Sequence, residues 1–366
     1  MSELRNAYLP DSVSSPGETL AELLEEKGMS QAEFAKRTGR PAKTINEIIK
    51  GKAALTPDTA IHLERVLGVS ADFWNQMEAN YRAFLAKKNE QQRLNDKDHW
   101  LKQFPISEMV TRKCIRDFRK DKAAQTIEVL NFFAVASPEQ WTEGWSRKQI
   151  AFRKSNKLEA EIGPTSAWLR LGEIQAEKID CAPFNEEKLH SSLEELRGLT
   201  LVTDPSVFIP QLTKICAESG IAVVFAPAFK GAPVCGATRW LTTKKAAIIL
   251  SLRYKTDDQL WFTFFHELGH ILKHSKKDLF VDFEKKTAQR TPEENEADSF
   301  AAECLIPNAE LSKHLARITQ YSREVILSLA QSLKISTGIL VGRLQFLRKV
   351  PHSHFNDLKQ RYTWAD

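Results

Sequence analysis

The stretch 257–273 (DDQLWFTFFHELGHILK) constrains the fold more than any other part of the chain. Trp261, Phe262, Phe264, Phe265, Leu268, Ile271 and Leu272 make an uninterrupted apolar segment with helical spacing, opened by Asp257 or Asp258 as the expected cap. In a helix, positions i and i+4 share one face, so His266 and His270 can grip one metal ion between them. Glu267 lies beside them, where it can take a proton from water held by that metal. Gly269 weakens the helix but leaves room between the histidines for a substrate or another backbone. The H-E-x-x-H spacing points to zinc-dependent peptide hydrolysis, with His266, His270 and Glu267 as the working residues.

The segments before this helix change character at Gly220. Residues 221–225, 234–241 and 246–252 read as three strands, with turn material at 230–233 and 242–245. A small sheet followed by an H-E-x-x-H helix is a zincin-like arrangement, and the segment from Gly236 to Trp240 is the expected edge strand for an extended peptide. Catalytic zinc takes three protein ligands and keeps one open position. His274 lies two turns from His266, about 12 Å along the axis, and is expected to be a neighbour rather than a ligand. Downstream, Glu293, Glu294 and Glu296 open a second helix, where acids also offset the helix dipole.

The front of the chain reads as five short helices between residues 16 and 85. Stops are expected at Gly28, Gly39, Gly51 and Gly68, and caps at Ser30 (with Glu33 as its capping-box partner) and Ser70. The second and third have the proportions of a helix-turn-helix. Between Lys36 and Lys52 stand Lys36, Arg37, Arg40, Lys43, Lys50 and Lys52 against Glu47 alone, while Glu18, Glu22, Glu25 and Glu26 crowd the first helix. Such a local positive face neutralises phosphates, and Arg40, Lys43, Thr44, Asn46 and Lys50 are the candidate DNA-contacting residues. Residues 86–97 are polar and suit a helical extension or linker. Further helices are expected over 107–119, 123–133, 138–153, 164–179, 185–196 and 205–219, with Trp141, Trp145, Phe152, Trp168, Leu169 and Leu171 in the core.

The fold class is therefore α+β and mostly helical. Expected domains are a helix-turn-helix domain over 1–88, a helical connecting region over 89–200, and a metal domain over 201–366 with a three-stranded sheet. The net charge of +5 does not by itself imply nucleic acid. Five scattered cysteines without a C-x-x-C pair argue against a disulfide framework and for a reducing cytoplasm. The first residues lack a signal peptide's charge and apolar run, and no apolar stretch approaches the ~18 residues of a membrane span.

Two resemblances sharpen these readings. The segment PGETLAELLEEKGMSQAEFAKRTGRPAKTINEIIKGKAALTPDTAIHLERVLGVSADFW resembles the XRE-type helix-turn-helix of HigA-like antitoxins and regulators. That implies a transcriptional regulator, often a homodimer, on double-stranded operator DNA. HELGH followed by NEADSFAAECLIP resembles the ImmA/IrrE family of metallopeptidases, and FFAVASPEQW, SAWLRLGE, GATRWL and LSLRYKTDDQLWFTFFHELGHILKH together resemble its longer members that fuse an XRE domain to the peptidase domain. In that family the Glu before the Ala-Asn/Asp pair completes the Zn2+ site, which implies Glu296 as third ligand, with Glu293 as its competitor and Glu294 pointing elsewhere. An Asp four residues after Glu296 would support a histidine, but that position is Phe300, leaving Asp298 as a stand-in. The combined resemblance implies a DNA-binding regulator with a zinc endopeptidase domain that cleaves a repressor-type protein. The alternative is a HigA-like antitoxin or regulator whose metal domain senses without turnover, with a toxin or repressor as partner.

Overall fold

The computed structural model describes residues 12–152, 162–283, 291–316, 318 and 320–363, and divides into two compact units. The first comprises residues 1–97 with 121–124, and the second 98–120 with 125–366.

Five helices build the first unit: α1 (Pro16–Glu26), α2 (Gln31–Thr38), α3 (Ala42–Ile49), α4 (Pro57–Leu67) and α5 (Ala71–Asn95). Local chemistry sets their ends. Ser15 and Glu18 close a reciprocal capping box at α1. Ser30 caps α2 through the Glu33 amide, but Glu33 does not return the bond as expected, because its carboxylate pairs with Arg37 one turn on. The polar segment from residue 86 continues α5 as helix up to Asn95. Leu20, Leu24, Phe34, Ile45, Ile48, Leu63 and Trp74 form the core of this unit.

The second unit opens with α6 (Asp98–Leu101), α7 (Ile106–Thr111), all but the first three residues of α8 (Lys122–Phe133), α9 (Pro138–Phe152), α10 (Ile162–Glu177), α11 (Glu186–Gly198) and α12 (Pro205–Glu218). The helix expected over 107–119 stops at Thr111, because Lys113 turns into the left-handed region at φ 57°. The last residue of the expected 138–153 helix lies outside the described residues. Residues 98–200 do not stand apart from the segments that carry the sheet. The Arg112 guanidinium donates to the carbonyls of Pro227 and Ala228 at 2.6 and 2.9 Å, and Trp168 Nε1 donates to the Ala226 carbonyl at 2.8 Å.

The sheet has four strands rather than the expected three: β1 (Ile221–Phe225), β2 (Val234–Thr242), β3 (Lys245–Leu250) and β4 (Leu279–Phe283), in the order β1-β3-β2-β4. Only β1 and β3 run parallel. The addition of β4 overturns the expectation that Gly236 to Trp240 is an edge, since β2 is paired on both sides. Between β3 and β4 runs α13 (Asp257–Lys273), followed by α14 (Pro292–Leu305), α15 (Asn308–Leu315), α16 (Arg323–Ser332) and α17 (Thr337–Phe346). Thirteen of the 17 residues of α13 are buried, so this helix is enclosed on nearly every side rather than along one stripe. Its N-cap is Thr256, not Asp257 or Asp258. Both aspartates lie buried in the first turn, where Asp257 accepts from Ser336 Oγ and Asp258 pairs with Lys359 Nζ at 2.7 Å. Among the described residues no single helix is long and apolar enough to cross a membrane.

Candidate metal centre and nucleic-acid interface

The apolar residues of α13 fix the histidines by burying the helix around them. Trp261, Phe264, Phe265 and Leu268 are 0% exposed, and His266, Glu267 and His270 follow at 3, 0 and 2%. The Nε2 atoms of His266 and His270 lie 3.0 Å apart. Glu294 on α14 reaches them, with carboxylate oxygens 3.3 Å from His266 Nε2 and 3.7 Å from His270 Nε2. Among the described residues, His266, His270 and Glu294 are the group whose donor atoms all come within 4.8 Å of one another. Two imidazoles and a carboxylate are the His2Glu donor set of a catalytic zinc site, so the residues present fit that metal.

The carboxylate brought to the histidines is thus Glu294 and not Glu296. The cause is the way α14 crosses α13. A Cβ on Gly269 would lie 3.1 Å from Ala297 Cα and 3.1 Å from Phe300 Cδ1, so the missing side chain lets α14 lie directly on the helix bearing the histidines. Ala297 and Ala301 are buried in that contact. Glu294, Ala297, Asp298 and Ala301 follow the i, i+3, i+4, i+7 stripe of one helix face, and Glu296 falls off it. The Glu296 side chain is 62% exposed and sits 3.3 Å from His274 Nε2.

Each histidine is braced from behind. His266 Nδ1 lies 3.0 Å from Asp298 Oδ1, and His270 Nδ1 lies 2.9 Å from His274 Nδ1. With a metal bound, a proton on each Nδ1 would satisfy these contacts and leave both Nε2 lone pairs for the ion. His274 is therefore a neighbour and not a ligand, and Glu296 ends the chain that runs back from His270. The spacing Glu-x-x-x-Asp that supports a histidine is present in the sequence, counted from Glu294 to Asp298. Counting from Glu296 instead meets Phe300.

Glu267 lies against β2. Thr238 Oγ1 is 2.6 Å from Glu267 Oε2 and 2.9 Å from the Glu267 carbonyl. A Cβ on Gly236 would come within 2.6 Å of Glu267 Oε1, so only glycine lets the strand pass this close. Burial pushes the Glu267 carboxyl up to about 8, partly countered by His266 and the Thr238 hydroxyl. Burial also depresses His270, to about 3, helped by the charge of His266. For His266, burial pulls downward but Glu294, Glu267 and Asp282 outweigh it, leaving a net rise. Sequence reasoning missed Phe280, and it read Gly236 and Thr238 only as part of a peptide-binding edge strand. The Phe280 ring stacks on His270 at 4.0 Å and 14°.

In the first unit, the candidate DNA-contacting residues run along α3, from Arg40 just before its N-terminus to Lys50 at its C-cap. The Lys43 side chain is 85% exposed and Lys50 is also exposed, whereas Thr44 and Asn46 are half-buried. Asn46 Nδ2 donates to Gln31 Oε1 at 3.3 Å. Arg40 is committed to Asp58 and only 25% exposed at its side chain.

Comparison with known proteins separates the two units. Residues 20–74 match the helix-turn-helix family model, and residues 216–345 match the IrrE N-terminal-like domain of the M78 peptidases. YddM of Escherichia coli (strain K12), an uncharacterised HTH-type transcriptional regulator, is 36% identical over 73 residues, covering 20% of this chain and 78% of its own. Virulence-associated protein I of Dichelobacter nodosus is 35% identical over 77 residues, covering 21% and 71%. Similar solved structures include the Pseudomonas aeruginosa antitoxin HigA with the higBA promoter (30% identity, 22% of this chain and 90% of that one, TM-score 0.22). Another is PA4674 of Pseudomonas aeruginosa with its operator DNA (29% identity, 24% and 94%, TM-score 0.22). The chain belongs to the helix-turn-helix regulators of the XRE type through residues 20–74 and carries an ImmA/IrrE-type M78 peptidase domain over residues 216–345.

Proposed function

We propose that this protein is an operator-binding regulator whose second unit is a zinc-dependent endopeptidase acting on a repressor-type protein. The observation that carries the reading is the convergence of His266, His270 and Glu294 within 4.8 Å, with Glu267 on the same helix. When bound, zinc supplies Lewis acidity toward a peptide carbonyl and toward water. His266, His270 and Glu294 would hold it, and Asp298 and His274 would keep the imidazoles in the binding tautomer. Thr238 holds Oε2 of Glu267, which leaves Oε1 to accept a proton from the attacking water and return it to the leaving amine. A carboxyl that burial holds above the ordinary carboxylate range suits both halves of that transfer.

The helix-turn-helix carries the DNA half of the proposal, with the solvated lysines of α3 as phosphate contacts and Thr44 and Asn46 on the same helix. On a homodimer, two half-sites lie about one helical turn apart, roughly 34 Å. One observation favours a second reading, a regulator or antitoxin whose metal domain senses without turnover: His266, Glu267 and His270 are at most 3% exposed. Glu267→Gln separates the two. The variant is expected to retain one zinc per chain by elemental analysis while the partner protein is no longer cut. Unchanged partner levels and phenotype sink the peptidase reading in favour of the sensor.

A further inference from the structure

The strand beside Glu267 has a second edge, and that edge is taken. Thr238 and Gly236 of β2 are the positions that touch Glu267, and β4 pairs with them antiparallel, Thr238 opposite Phe280 and Gly236 opposite Asp282. Side chains at registered positions point to the same face of a sheet, so Phe280 and Asp282 face α13 as Thr238 does. Their contacts agree. Phe280 lies flat on His270 and 5.2 Å from the His274 ring, and the Asp282 carboxylate acts electrostatically on His266 and Glu267. His266, Glu267 and His270 are at most 3% exposed, with Phe280 of β4 lying on His270 and α14 packed across Gly269.

The burial of β4 is slight. It is five residues long, lies at the edge of the sheet, and buries only Val281, at 8% exposure; its other four residues are half-buried. The inner strand β3 is buried along five of its six residues. A short edge strand with one buried apolar anchor is the part of a sheet that opens at least cost.

We propose that β4 is an internal stand-in for substrate: Leu279–Phe283 fills the strand position beside β2 that an extended peptide takes, and the site opens when β4 leaves it. The occupant that replaces it is a polypeptide segment able to pair with β2 through its backbone, opposite Gly236, Ala237 and Thr238. Backbone pairing selects for extended, locally unfolded chain rather than for a particular sequence. A regulatory protein would then be cut at an exposed or loosened segment. The identity of the occupant rests on the peptidase reading of the site; the removable cover does not.

The test uses the full chain loaded with one equivalent of Zn2+, compared with Val281→Ser, which loses the anchor, and Phe280→Ala, which keeps the anchor but uncovers His270. Two rates are read: hydrogen exchange of the amides in 279–283 against those of β3, and zinc loss to a chromogenic chelator. In the unaltered protein β4 amides exchange well before those of β3. Val281→Ser speeds β4 exchange and zinc loss together, on the order of tenfold, with β3 unmoved. Phe280→Ala speeds zinc loss more than it speeds exchange. Protection of β4 equal to that of β3, or zinc loss indifferent to both substitutions, overturns the proposal. Unfolded casein serves as the peptide probe. Faster cleavage by Val281→Ser, abolished by adding Glu267→Gln, supports both readings. A response of the two rates without cleavage keeps the cover and rejects the peptidase.

Discussion

At the scale of the residue, the contest between Glu294 and Glu296 is decided by about 100° per residue of helical rotation. Both are acids in the first turns of α14, and both suit the helix dipole. Only Glu294 shares the face of Ala297 and Ala301, and only it reaches both histidines. Glu294→Gln is therefore expected to weaken zinc binding by 100-fold or more, while Glu296→Gln costs roughly tenfold or less through His274, the range of outer-shell changes. Chelator competition checks both; equal losses would reject the assignment. Asp257 offers a second test, away from the metal ligands. Burial raises its carboxyl to about 6, despite the Ser336 hydroxyl donated to it. An unfolded Asp titrates near 4, so between about pH 4 and pH 6 the folded chain binds the extra proton. This contribution stabilises fully below pH 4 and is lost as pH rises through 6, on the order of 3 kcal/mol. Asp257→Asn should remove that decline from urea midpoints measured across the range.

Elements place these residues through close backbone approaches. Gly269 brings α14 onto α13, and Gly236 brings β2 onto Glu267. The first was legible as a glycine between two histidines; what approaches it, the Ala297 backbone, was not. Gly269→Val should push the helices apart, lowering stability by about 1–3 kcal/mol and weakening zinc binding in the same titration. An unchanged affinity would show that Glu294 is placed by something other than this crossing. Helix ends were well marked where the cap is local, as at Ser30 and Ser70. They were misread where a carboxylate had a tertiary partner, as with Asp257 and Asp258, or a competing side chain, as with Glu33. The strand β4 escaped notice because five residues after a lysine-rich turn, with Asp282 among them, have no convincing period of their own.

At the scale of the molecule, two compact units match two unrelated families, and their boundary follows packing rather than composition. The middle helices look like a connector when read alone. Arg112, Trp168 and Glu173 tie them instead to the loops and strands that carry the metal domain. Separate units predict separable losses. Lys43→Ala with Lys50→Ala should weaken operator binding and make the slope of log affinity against log salt shallower by about 2, as two phosphate contacts are lost. Zinc content should not change. Operator binding and salt slope both unmoved would remove α3 from the interface.

What the chain determines by itself is whatever a few neighbouring residues can enforce. The periods and caps of its helices, the helix-turn-helix, and the pairing of His266 with His270 one turn apart all rest on local spacing and were readable. Which carboxylate joins them, and what lies along β2, depend on segments more than twenty residues distant in sequence. Those choices are made by the packing of α14 across Gly269 and by the docking of β4, because a third ligand is selected by where two helices cross and a strand edge exists only once its sheet has formed.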